Sequence, residues 1–332
     1  MTPFLILLRQ SAWQRLLVCL VVCMWTHPAQ AASITIGVSS SPMSIPFYVA
    51  ERRGFFRDEG VDVVLVLVEC PTGSVCLSQL LESKVQLATA SDLPIMFRSF
   101  DSVPFKVLAT FAASQDVKLI TRANAGIKSS KDLKGRQVAV ARGTAGQYVL
   151  DLTLLAAGLD PRDVPTVALD TKRLDLAAVN PQTEAFALFQ PAAYQMLKLL
   201  GPDAVVLPIP RLYTLSFNLV ALAVDRATSG EDHVRVLRAL ARAVDTVRSE
   251  PDFAKTMLRE RLKMDATEIT VLWPDYRFAL GLNQSLIATL ESTARWAIQE
   301  QLVKAKAVPN YLDFIDVGPL KRVRPAAVTV VK

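Results

Sequence analysis

Short apolar runs alternate with stretches of helical periodicity along this chain, and that alternation constrains the fold more than any other feature. The run from Val61 to Val68 is almost continuous Val and Leu, which is typical of a strand buried on both faces. Strand, helix and strand repeated at this spacing indicate parallel or mixed sheets with helical crossovers. The sequence therefore predicts an α/β fold.

The predicted elements fall into two groups. Strands are predicted at 34–38, 61–68, 85–90, 106–111, 117–122, 137–141, 185–189, 204–207 and 215–224. Helices are predicted at 45–53, 74–84, 92–100, 192–200, after the glycine turn at 143–146, and in two long C-terminal stretches that carry apolar stripes, the first capped by Ser229. The tail from Val308 onward has no clear periodicity. A chain of this length exceeds the usual size of one domain, so two lobes are expected.

The first 31 residues have the pattern of a secretory signal peptide. Arg9 and Arg15 precede an apolar run from Leu16 to Trp25, and Ala29 to Ala31 has the small-x-small pattern of a cleavage site. An uncleaved membrane anchor is the alternative, but ten apolar residues are about half of the ~20 that a spanning helix needs. The sequence therefore predicts export, with cleavage after Ala31.

The charge of the mature chain excludes one class of partner. Residues 1–31 contain two Arg and no acidic residue, so 35 basic and 31 acidic side chains remain, a net charge of +4. This mildly basic balance is not typical of nucleic-acid binding. Half of the chain is apolar and no charge block interrupts it, so ordinary globular cores are expected.

Catalytic motifs are scarce in the mature chain. Its single histidine, His233, stands beside Asp232 at a helix start, where a solvated histidine is the ordinary interpretation rather than part of a Ser-His-Asp triad. The sequence contains no phosphate-binding GxxxxGK[ST] loop and no GxGxxG dinucleotide fingerprint. The patterns predict neither an enzyme nor a bound cofactor or metal.

Small polar turns follow several predicted strands and lead directly into helices. Helix starts carry unpaired N–H groups and the positive end of the helix dipole, so they attract oxyanions and polar ligands. In open α/β sheets, ligands bind beyond the carboxyl ends of the strands. Each turn alone could be an ordinary helix cap, but four of them indicate a shared cleft. The turns contain Ser39 to Ser44 (with Ser41 and Ser44), Thr72-Gly73-Ser74, Ser91-Asp92, and Gly143-Thr144-Ala145-Gly146.

Three further positions have two interpretations each. Ser114-Gln115-Asp116 lies between the two groups of elements and is a candidate hinge that could also contact a ligand. Asp92 could pair with an amine or cap its helix. Arg142 could meet an anion or lie exposed in its loop.

Two cysteines, Cys70 and Cys76, remain after signal removal. In an exported protein they could form a disulfide, since a turn through Pro71, Thr72 and Gly73 permits the approach that bridging requires. Two unpaired thiols are the equal alternative. Metal binding is not expected, because no histidine or further cysteine accompanies them.

Two segments resemble the solute-binding proteins of ABC importers in the sulfonate/taurine/nitrate and thiamine-precursor superfamily. These segments read ITIGVSSSPMSIPFYVAERRGFFRDEGVDVVLV and IKSSKDLKGRQVAVARGTAGQYVLDLTLLAAGLDPRDV, with GFFRDEG and SKDLKG as the most specific parts. The resemblance covers roughly 34–224. It implies a type 2 periplasmic-binding fold, with two α/β lobes joined by two hinge strands around a ligand cleft.

The resemblance also implies the domain layout and the site. Residues 33–113 and 216–300 would form lobe 1, 114–215 lobe 2, and 301–332 a C-terminal extension. Ser41, Thr72, Gly73, Ser91, Gly143 and Thr144 would face the ligand, together with Gln190 and Pro191 after a strand of lobe 2. The chain departs from the family's Gly-x-x-Asp pattern at two places, which read Ser83-Lys84-Val85-Gln86 and Pro181-Gln182-Thr183-Glu184.

The function that the resemblance implies is solute binding in the periplasm. The protein would be a monomer, would bind a small organic or oxoanionic molecule without chemistry, and would deliver it to a permease in the inner membrane. The alternative is a periplasmic sensor subunit that signals to a membrane partner by the same lobe closure. The superfamily's thiamine-pyrimidine synthases offer an enzymatic alternative, but they rely on a histidine and a cysteine-rich iron site that this chain does not match.

Overall fold

A computed structural model describes residues 33–70, 72–101, 103–224 and 228–331 of the chain. The predicted signal peptide, residues 1–31, lies outside the described residues. The strands are β1 Ile34–Gly37, β2 Val63–Val66, β3 Leu87–Ser91, β4 Phe105–Ser114, β5 Lys118–Arg122, β6 Val138–Val140, β7 Thr166–Ala168, β8 Ala185–Leu188, β9 Ala204–Leu207, β10 Leu215–Leu222 and β11 Tyr276–Gly281. The α-helices are α1 Ile45–Arg52, α2 Phe55–Asp58, α3 Gly73–Leu81, α4 Asp92–Arg98, α5 Ala145–Ala156, α6 Leu174–Val179, α7 Ala192–Leu200, α8 Gly230–Ser249, α9 Pro251–Leu262, α10 Ala266–Leu272, α11 Gln284–Gln299 and α12 Gly318–Val323.

The first sheet is mixed and has the strand order β11-β4-β10-β3-β1-β2. Strand β1 runs parallel to β2 and β3, whereas β10 runs antiparallel to both β3 and β4. We call this sheet, with the helices packed on it, lobe 1. Its core includes the fully buried rings of Phe47 and Phe111, whose centroids lie 4.9 Å apart edge to face.

The second sheet has the order β7-β6-β8-β5-β9. Strand β6 runs parallel to β7 and β8, and β5 runs antiparallel to β8 and β9. Its two faces carry separate apolar clusters, one under α5 and one under α7. This sheet and its helices form lobe 2. The two-lobed α/β fold that the sequence predicted is therefore present.

Two crossovers join the lobes. The first, residues 115–117, leads from β4 of lobe 1 to β5 of lobe 2. The second, residues 208–214, returns from β9 to β10. Because β4 and β10 are adjacent and antiparallel in the first sheet, the end of β4 lies beside the start of β10, with Ser114 opposite Leu215. Both crossovers therefore join lobe 1 at the same place.

Helix α8 illustrates how local sequence determines an element. The Ser229 hydroxyl accepts a hydrogen bond from the Asp232 N–H, and the Asp232 carboxylate accepts one from the Ser229 N–H, which is a capping box. The apolar stripe behind this cap is buried, including Leu237 and Val244. His233 was predicted to be solvated, but this was wrong. It is 9% exposed, with its Nε2 atom 3.1 Å from the Thr228 hydroxyl oxygen.

Strand β2 corrects another expectation. Its Val-rich run predicted burial on both faces, but β2 lies at the end of the first sheet, and Val64 is 48% exposed. An edge strand has a neighbour on one side only, so a continuous apolar run is insufficient evidence for a central position.

The C-terminal residues pack onto lobe 1, although the sequence contained no signal for their contacts. Tyr311 is fully buried, and its hydroxyl lies 3.0 Å from that of Ser99. Ile315 bridges Val107 of β4. Arg322 forms an ion pair with Glu231 at 2.7 Å. Residues 301–331 therefore contribute to the lobe 1 core. None of the helices in the described residues has the length and apolar character needed to cross a membrane.

Gly146 permits the close approach of α5 to β8, and its replacement should destabilise the protein. A Cβ atom at this position would lie 2.6 Å from the backbone oxygen of Ala187, which cannot move without disturbing the sheet. We expect Gly146→Ala to lower the free energy of unfolding by about 1–3 kcal/mol, measured by urea denaturation. The control is Gly230→Ala at the start of α8, where a Cβ meets no described atom within 4 Å. Equal urea midpoints of unfolding for Gly146→Ala and Gly230→Ala would contradict the close packing of α5 on β8.

Candidate functional site

A cleft of about 560 Å³ lies between the lobes, beyond the carboxyl ends of β1, β3, β6 and β8. This volume is in the range of small-molecule sites. Lobe 1 supplies its polar turns and part of two helices, and lobe 2 supplies two loops. The lining consists of Ser39, Ser40, Ser41, Pro42, Met43, Thr72, Gly73, Ser74, Val75, Ser78, Ser91, Leu93, Pro94, Phe97, Arg98, Asp116, Gly143, Thr144, Ala145, Phe189, Gln190, Pro191, Leu215 and Phe217.

On the lobe 1 side, two of the predicted hydroxyls cap their own helical turns. The Ser41 hydroxyl accepts a hydrogen bond from the Met43 N–H at 3.3 Å, and the Thr72 hydroxyl accepts one from the Val75 N–H at 3.4 Å. Capping satisfies one orphan amide in each turn and fixes the path of the loop. Both residues line the cleft as predicted from the sequence, but part of their hydrogen-bonding capacity is already used. Their contact with a ligand stays a prediction.

On the lobe 2 side, the start of α5 has no side-chain cap. The Thr144 hydroxyl donates to the Ala141 carbonyl at 2.6 Å, and the Gly143 N–H donates to Gln147 Oε1 at 2.8 Å. Gly143 has φ +73°, a conformation that glycine adopts without strain. The first-turn amides of α5 are therefore left for an acceptor in the cleft, at the positive end of the helix dipole.

The second lobe 2 loop contains Gln190 and Pro191, which are joined by a cis peptide bond. Gln190 is 8% exposed, and its Oε1 accepts a hydrogen bond from the Tyr194 N–H at 2.9 Å. This bond fixes the side chain against the first turn of α7. Both residues line the cleft.

Aromatic side chains form much of the cleft wall, and the sequence analysis missed them. Phe97 projects from α4, Phe189 precedes Gln190, and Phe217 lies on β10, with its ring edge to face against Phe111 at 5.8 Å. A Cβ placed on Gly143 would lie 3.6 Å from Phe97, so the two lobes approach closely here. In the sequence these rings are indistinguishable from core residues, since each lies within or beside an apolar run.

Two charged side chains line the cleft in the described part of the chain. Arg98 donates hydrogen bonds to Asp101 and to the Ser78 hydroxyl, both at 2.9 Å, so its charge is partly neutralised at the rim. Asp116 lies in the first crossover and is 3% exposed. The sequence analysis had placed it in the candidate hinge.

Four predicted site residues lie away from the cleft lining. Ser44 is fully buried, with its hydroxyl 3.2 Å from that of Ser39. Ser114 and Gln115 line a smaller cavity of about 190 Å³ beside the first crossover. Asp92 is buried beneath the cleft. These residues support the loops and crossovers around the cleft.

Asp92 connects α4 to the second crossover. Its carboxylate accepts hydrogen bonds from the Tyr213 hydroxyl at 2.5 Å, the Ser216 N–H at 3.0 Å and the Leu93 N–H at 2.8 Å. Burial raises the pKa of Asp92 to about 6, and these three donors oppose the shift. The predicted capping role is not observed, because Ser91 is the N-cap of α4 and Asp92 is its first residue. The carboxylate instead connects the helix start to the second crossover and β10.

A second set of contacts joins the lobes through α5 and α11. The Trp296 Nε1–H donates to the Asp151 carboxylate at 2.8 Å, and the hydroxyls of Tyr148 and Ser292 are 2.8 Å apart. Burial raises the pKa of Asp151 to about 6. Arg142, for which the sequence left an anion contact or exposure open, is exposed and donates to the Glu300 carbonyl at 3.2 Å.

The possible disulfide between Cys70 and Cys76 is absent. Both residues are buried free thiols, and the Cys76 Sγ donates to the Cys70 carbonyl at 3.5 Å. Within the described ranges there is also no group of three His, Cys, Asp or Glu side chains that could hold a metal ion.

The two departures from the family's Gly-x-x-Asp pattern lie away from the cleft. Gln86 Oε1 accepts hydrogen bonds from the Thr35 N–H at 2.5 Å and the Thr35 hydroxyl at 2.8 Å, at the start of β1. Glu184 Oε2 accepts one from the Gln137 N–H at 3.3 Å, just before β6. Each side chain thus connects neighbouring strands at their amino ends. Neither segment contributes a residue to the cleft lining.

Comparison with known proteins gives the family context. The model of a family described as NMT1/THI5 like matches residues 41–254. The "Putative aliphatic sulfonates-binding protein" of Bacillus subtilis (strain 168) is 27% identical over 230 residues, which cover 65% of this chain and 65% of that protein. The riboflavin-binding protein RibY of Chloroflexus aurantiacus is 23% identical over 235 residues, 67% of this chain and 64% of that one. The matches thus span slightly less than two thirds of these relatives.

Solved structures share the fold. The periplasmic aliphatic sulphonate binding protein SsuA of Escherichia coli has a TM-score of 0.73 at 19% identity, over 86% of this chain and 92% of that one.

Enzymes also occur among the proteins that match in sequence. One is the 4-amino-5-hydroxymethyl-2-methylpyrimidine phosphate synthase of Schizosaccharomyces pombe, 25% identical over 39% of this chain and 36% of that one. Shared fold therefore does not by itself separate binding from catalysis.

Removal of the Tyr213 hydroxyl should destabilise the protein in a pH-dependent manner. This hydroxyl helps to lower the pKa of Asp92, so Tyr213→Phe raises that pKa further. The unfavourable buried charge is present at pH 8, where wild-type Asp92 is ionised, and is largely absent at pH 5, where it is protonated. We expect a loss of about 1.5–3 kcal/mol at pH 8 and a smaller loss at pH 5, measured by denaturant unfolding.

The matched control is Tyr311→Phe. Tyr311 is similarly buried, and its hydroxyl lies 3.0 Å from the Ser99 hydroxyl, a pair in which neither group changes charge between pH 5 and pH 8. Its loss of stability should be nearly the same at both pH values. A Tyr213→Phe loss that is equal at pH 5 and pH 8 would contradict the role given to the Asp92 contact.

Proposed function

The chain belongs to the NMT1/THI5-like family, and we propose that it is a periplasmic solute-binding protein of an ABC importer. It captures a small organic molecule between its lobes and delivers it to a permease in the inner membrane. The observation that carries this proposal is the cleft itself, in which helix starts from both lobes line one space next to two chain crossovers. The family match supports it, since residues 41–254 include the turns from both lobes.

The lining favours a solute with an apolar body and an acceptor group. Phe97, Phe189 and Phe217 provide apolar surface for an aliphatic or aromatic body. The uncapped first turn of α5 provides N–H donors for a carboxylate, sulfonate or similar group, and Arg98 adds positive charge at the rim. The sulfonate and riboflavin specificities in the names of two relatives are consistent with such a solute.

Binding without chemistry fits the side chains available. The cleft lining described here consists of hydroxyls, amides, apolar groups, one arginine and one aspartate. His233 is buried at the start of α8 in lobe 1, and the two thiols are buried and are not part of the cleft lining. Among the described residues, the lining contains serine and threonine hydroxyls and one carboxylate but no histidine and no thiol, and on this basis binding rather than catalysis is proposed. Enzyme relatives of the same fold keep this part of the proposal open to test by turnover assays.

Location, assembly and lobe boundaries are part of the proposal. The periplasmic location is supported by the leader pattern of residues 1–31 and by the periplasmic relative of known structure. We assign residues 33–113 and 216–300 to lobe 1, with 301–332 as an extension of it, and 114–215 to lobe 2. The protein acts as a monomer, because each lobe contributes to the same cleft within one chain.

The proposal predicts a ligand-dependent rise in melting temperature that a cleft-blocking residue removes. Mature protein should be screened by thermal shift against sulfonates, carboxylates, amines, pyrimidines and flavins. A ligand at 100 times its Kd adds about 2.7 kcal/mol of stability. Ser74 is exposed and lines the cleft, so Ser74→Trp should fill the cleft while the unliganded melting temperature changes little.

Ser285→Trp is the control, since Ser285 is exposed on α11 and lies outside the cleft lining. It should retain the full ligand-induced shift. Two results would contradict the proposal: no compound stabilises the wild type, or Ser74→Trp responds to the ligand as strongly as the wild type does.

A further inference from the structure

Asp116 occupies an unusual position in the first crossover. It lines the cleft on one side and the smaller cavity beside the crossover on the other, yet the residue is only 3% exposed. Asp92 and Asp151 form hydrogen bonds with other elements of the fold, whereas the Asp116 carboxylate forms none with another element among the described residues. A buried charge in a cleft wall therefore needs a separate explanation.

The Asp116 carboxyl is incompletely satisfied. Its Oδ1 atom is buried and has no hydrogen-bond partner among the residues that the structure describes. The nearest cation along the chain, Lys118, is paired with Asp275 through contact of its Nζ with Oδ2 at 2.7 Å. Arg211 lines the smaller cavity together with Asp116 but is exposed. Asp275 itself repels a negative charge on Asp116. The Ser114 hydroxyl, which is also buried without a hydrogen-bond partner, lies close enough to lower the pKa of Asp116 but leaves Oδ1 without a formed hydrogen bond. A buried carboxylate oxygen in this state gains from an additional donor.

We infer that Asp116 recognises a hydrogen-bonding cationic nitrogen on the solute, so that the ligand class is an organic amine or amidine with an apolar body. The inference rests on the proposed solute-binding function and narrows its substrate class. The N–H donor would satisfy Oδ1, the aromatic walls would hold the apolar body, and the α5 start would hold any acceptor group of the solute. A solute with both groups would be a zwitterion.

The electrostatics of the crossover support this inference and give it a pH signature. Burial raises the pKa of Asp116 to about 7; Asp275 adds to the shift, and the Ser114 hydroxyl and Lys118 oppose it. Tyr213 and Tyr276 also face the carboxyl and stay neutral, because burial raises the pKa of both hydroxyls. A cationic solute binds the ionised form. Its affinity should therefore weaken as the pH falls below about 7, approaching tenfold per pH unit.

The test compares matched probes in which the amine is either removed or replaced by a neutral hydroxyl. The pairs are 4-(aminomethyl)benzenesulfonate with 4-methylbenzenesulfonate, 3-aminopropanesulfonate with propanesulfonate, and benzylamine with benzyl alcohol. Binding to the mature protein is measured by calorimetry at pH 8 and pH 6. We expect the amine of at least one pair to bind about ten- to hundredfold more tightly than its partner at pH 8, with a smaller preference at pH 6.

Two variants connect this preference to the carboxyl. Asp116→Asn should abolish the preference for the amine and make the remaining affinity independent of pH. The unliganded variant should stay folded, because the substitution removes an unpaired buried charge. Asp151→Asn changes another buried aspartate, which accepts a hydrogen bond from Trp296 and lies outside the cleft lining, so this variant should retain the preference even if its stability falls.

The possible failures are distinguishable. If amine-free probes bind and the amines bind no more tightly, the Asp116 inference is overturned and solute binding stands. If the amines bind better but Asp116→Asn keeps the preference, Asp116 is not the recognition residue. If no probe, with or without an amine, binds at millimolar concentration, this ligand class is wrong; the wider thermal-shift screen then decides the proposed function separately.

Discussion

The structure depends on one topological constraint. The chain passes twice between the two sheets, and both crossovers join the first sheet at neighbouring strand ends. The antiparallel pairing of β4 with β10 places both crossovers side by side, so the carboxyl ends of strands in both sheets face a common space. The buried Asp92 carboxylate stabilises this arrangement by joining the start of α4 to Tyr213 and Ser216 at the second crossover.

Much of the fold could be predicted because its elements have strong local signals. The capping residue Ser229 and the stripe behind it predict α8, and the small polar turn at 143–146 predicts the start of α5. Nine predicted site residues line the cleft for the same reason, because polar turns at strand ends have a fixed place in an α/β sheet. Whether they contact a ligand is for experiment.

The remaining features depend on contacts between distant residues, which periodicity does not report. Phe97 and Phe217 have the same local pattern as core residues, and only the gap between the lobes makes them cleft walls. The burial of His233 and Tyr311 depends on packing within lobe 1. The free thiols of Cys70 and Cys76 likewise result from a three-dimensional arrangement that their spacing left open.

The cleft combines aromatic walls with a few polar groups, and this combination determines which solutes it can bind. Aromatic walls exclude water from an apolar body, and exclusion of water strengthens each polar contact at the ends of the cleft. The α5 start offers donors at one place and Asp116 offers an acceptor at another, so the site can discriminate by the position of charge as well as by shape. The polar turns and the Asp116 carboxyl thus have separate roles in recognising the solute.

Hydrogen–deuterium exchange of the mature protein, with and without the tightest-binding compound of the thermal-shift screen, tests the central claim most directly. If one solute lies between the lobes, amides at 72–75 in lobe 1 and at 143–146 in lobe 2 should become protected together, at the same ligand concentration. Protection confined to one lobe, or located on a surface away from these turns, would contradict the account.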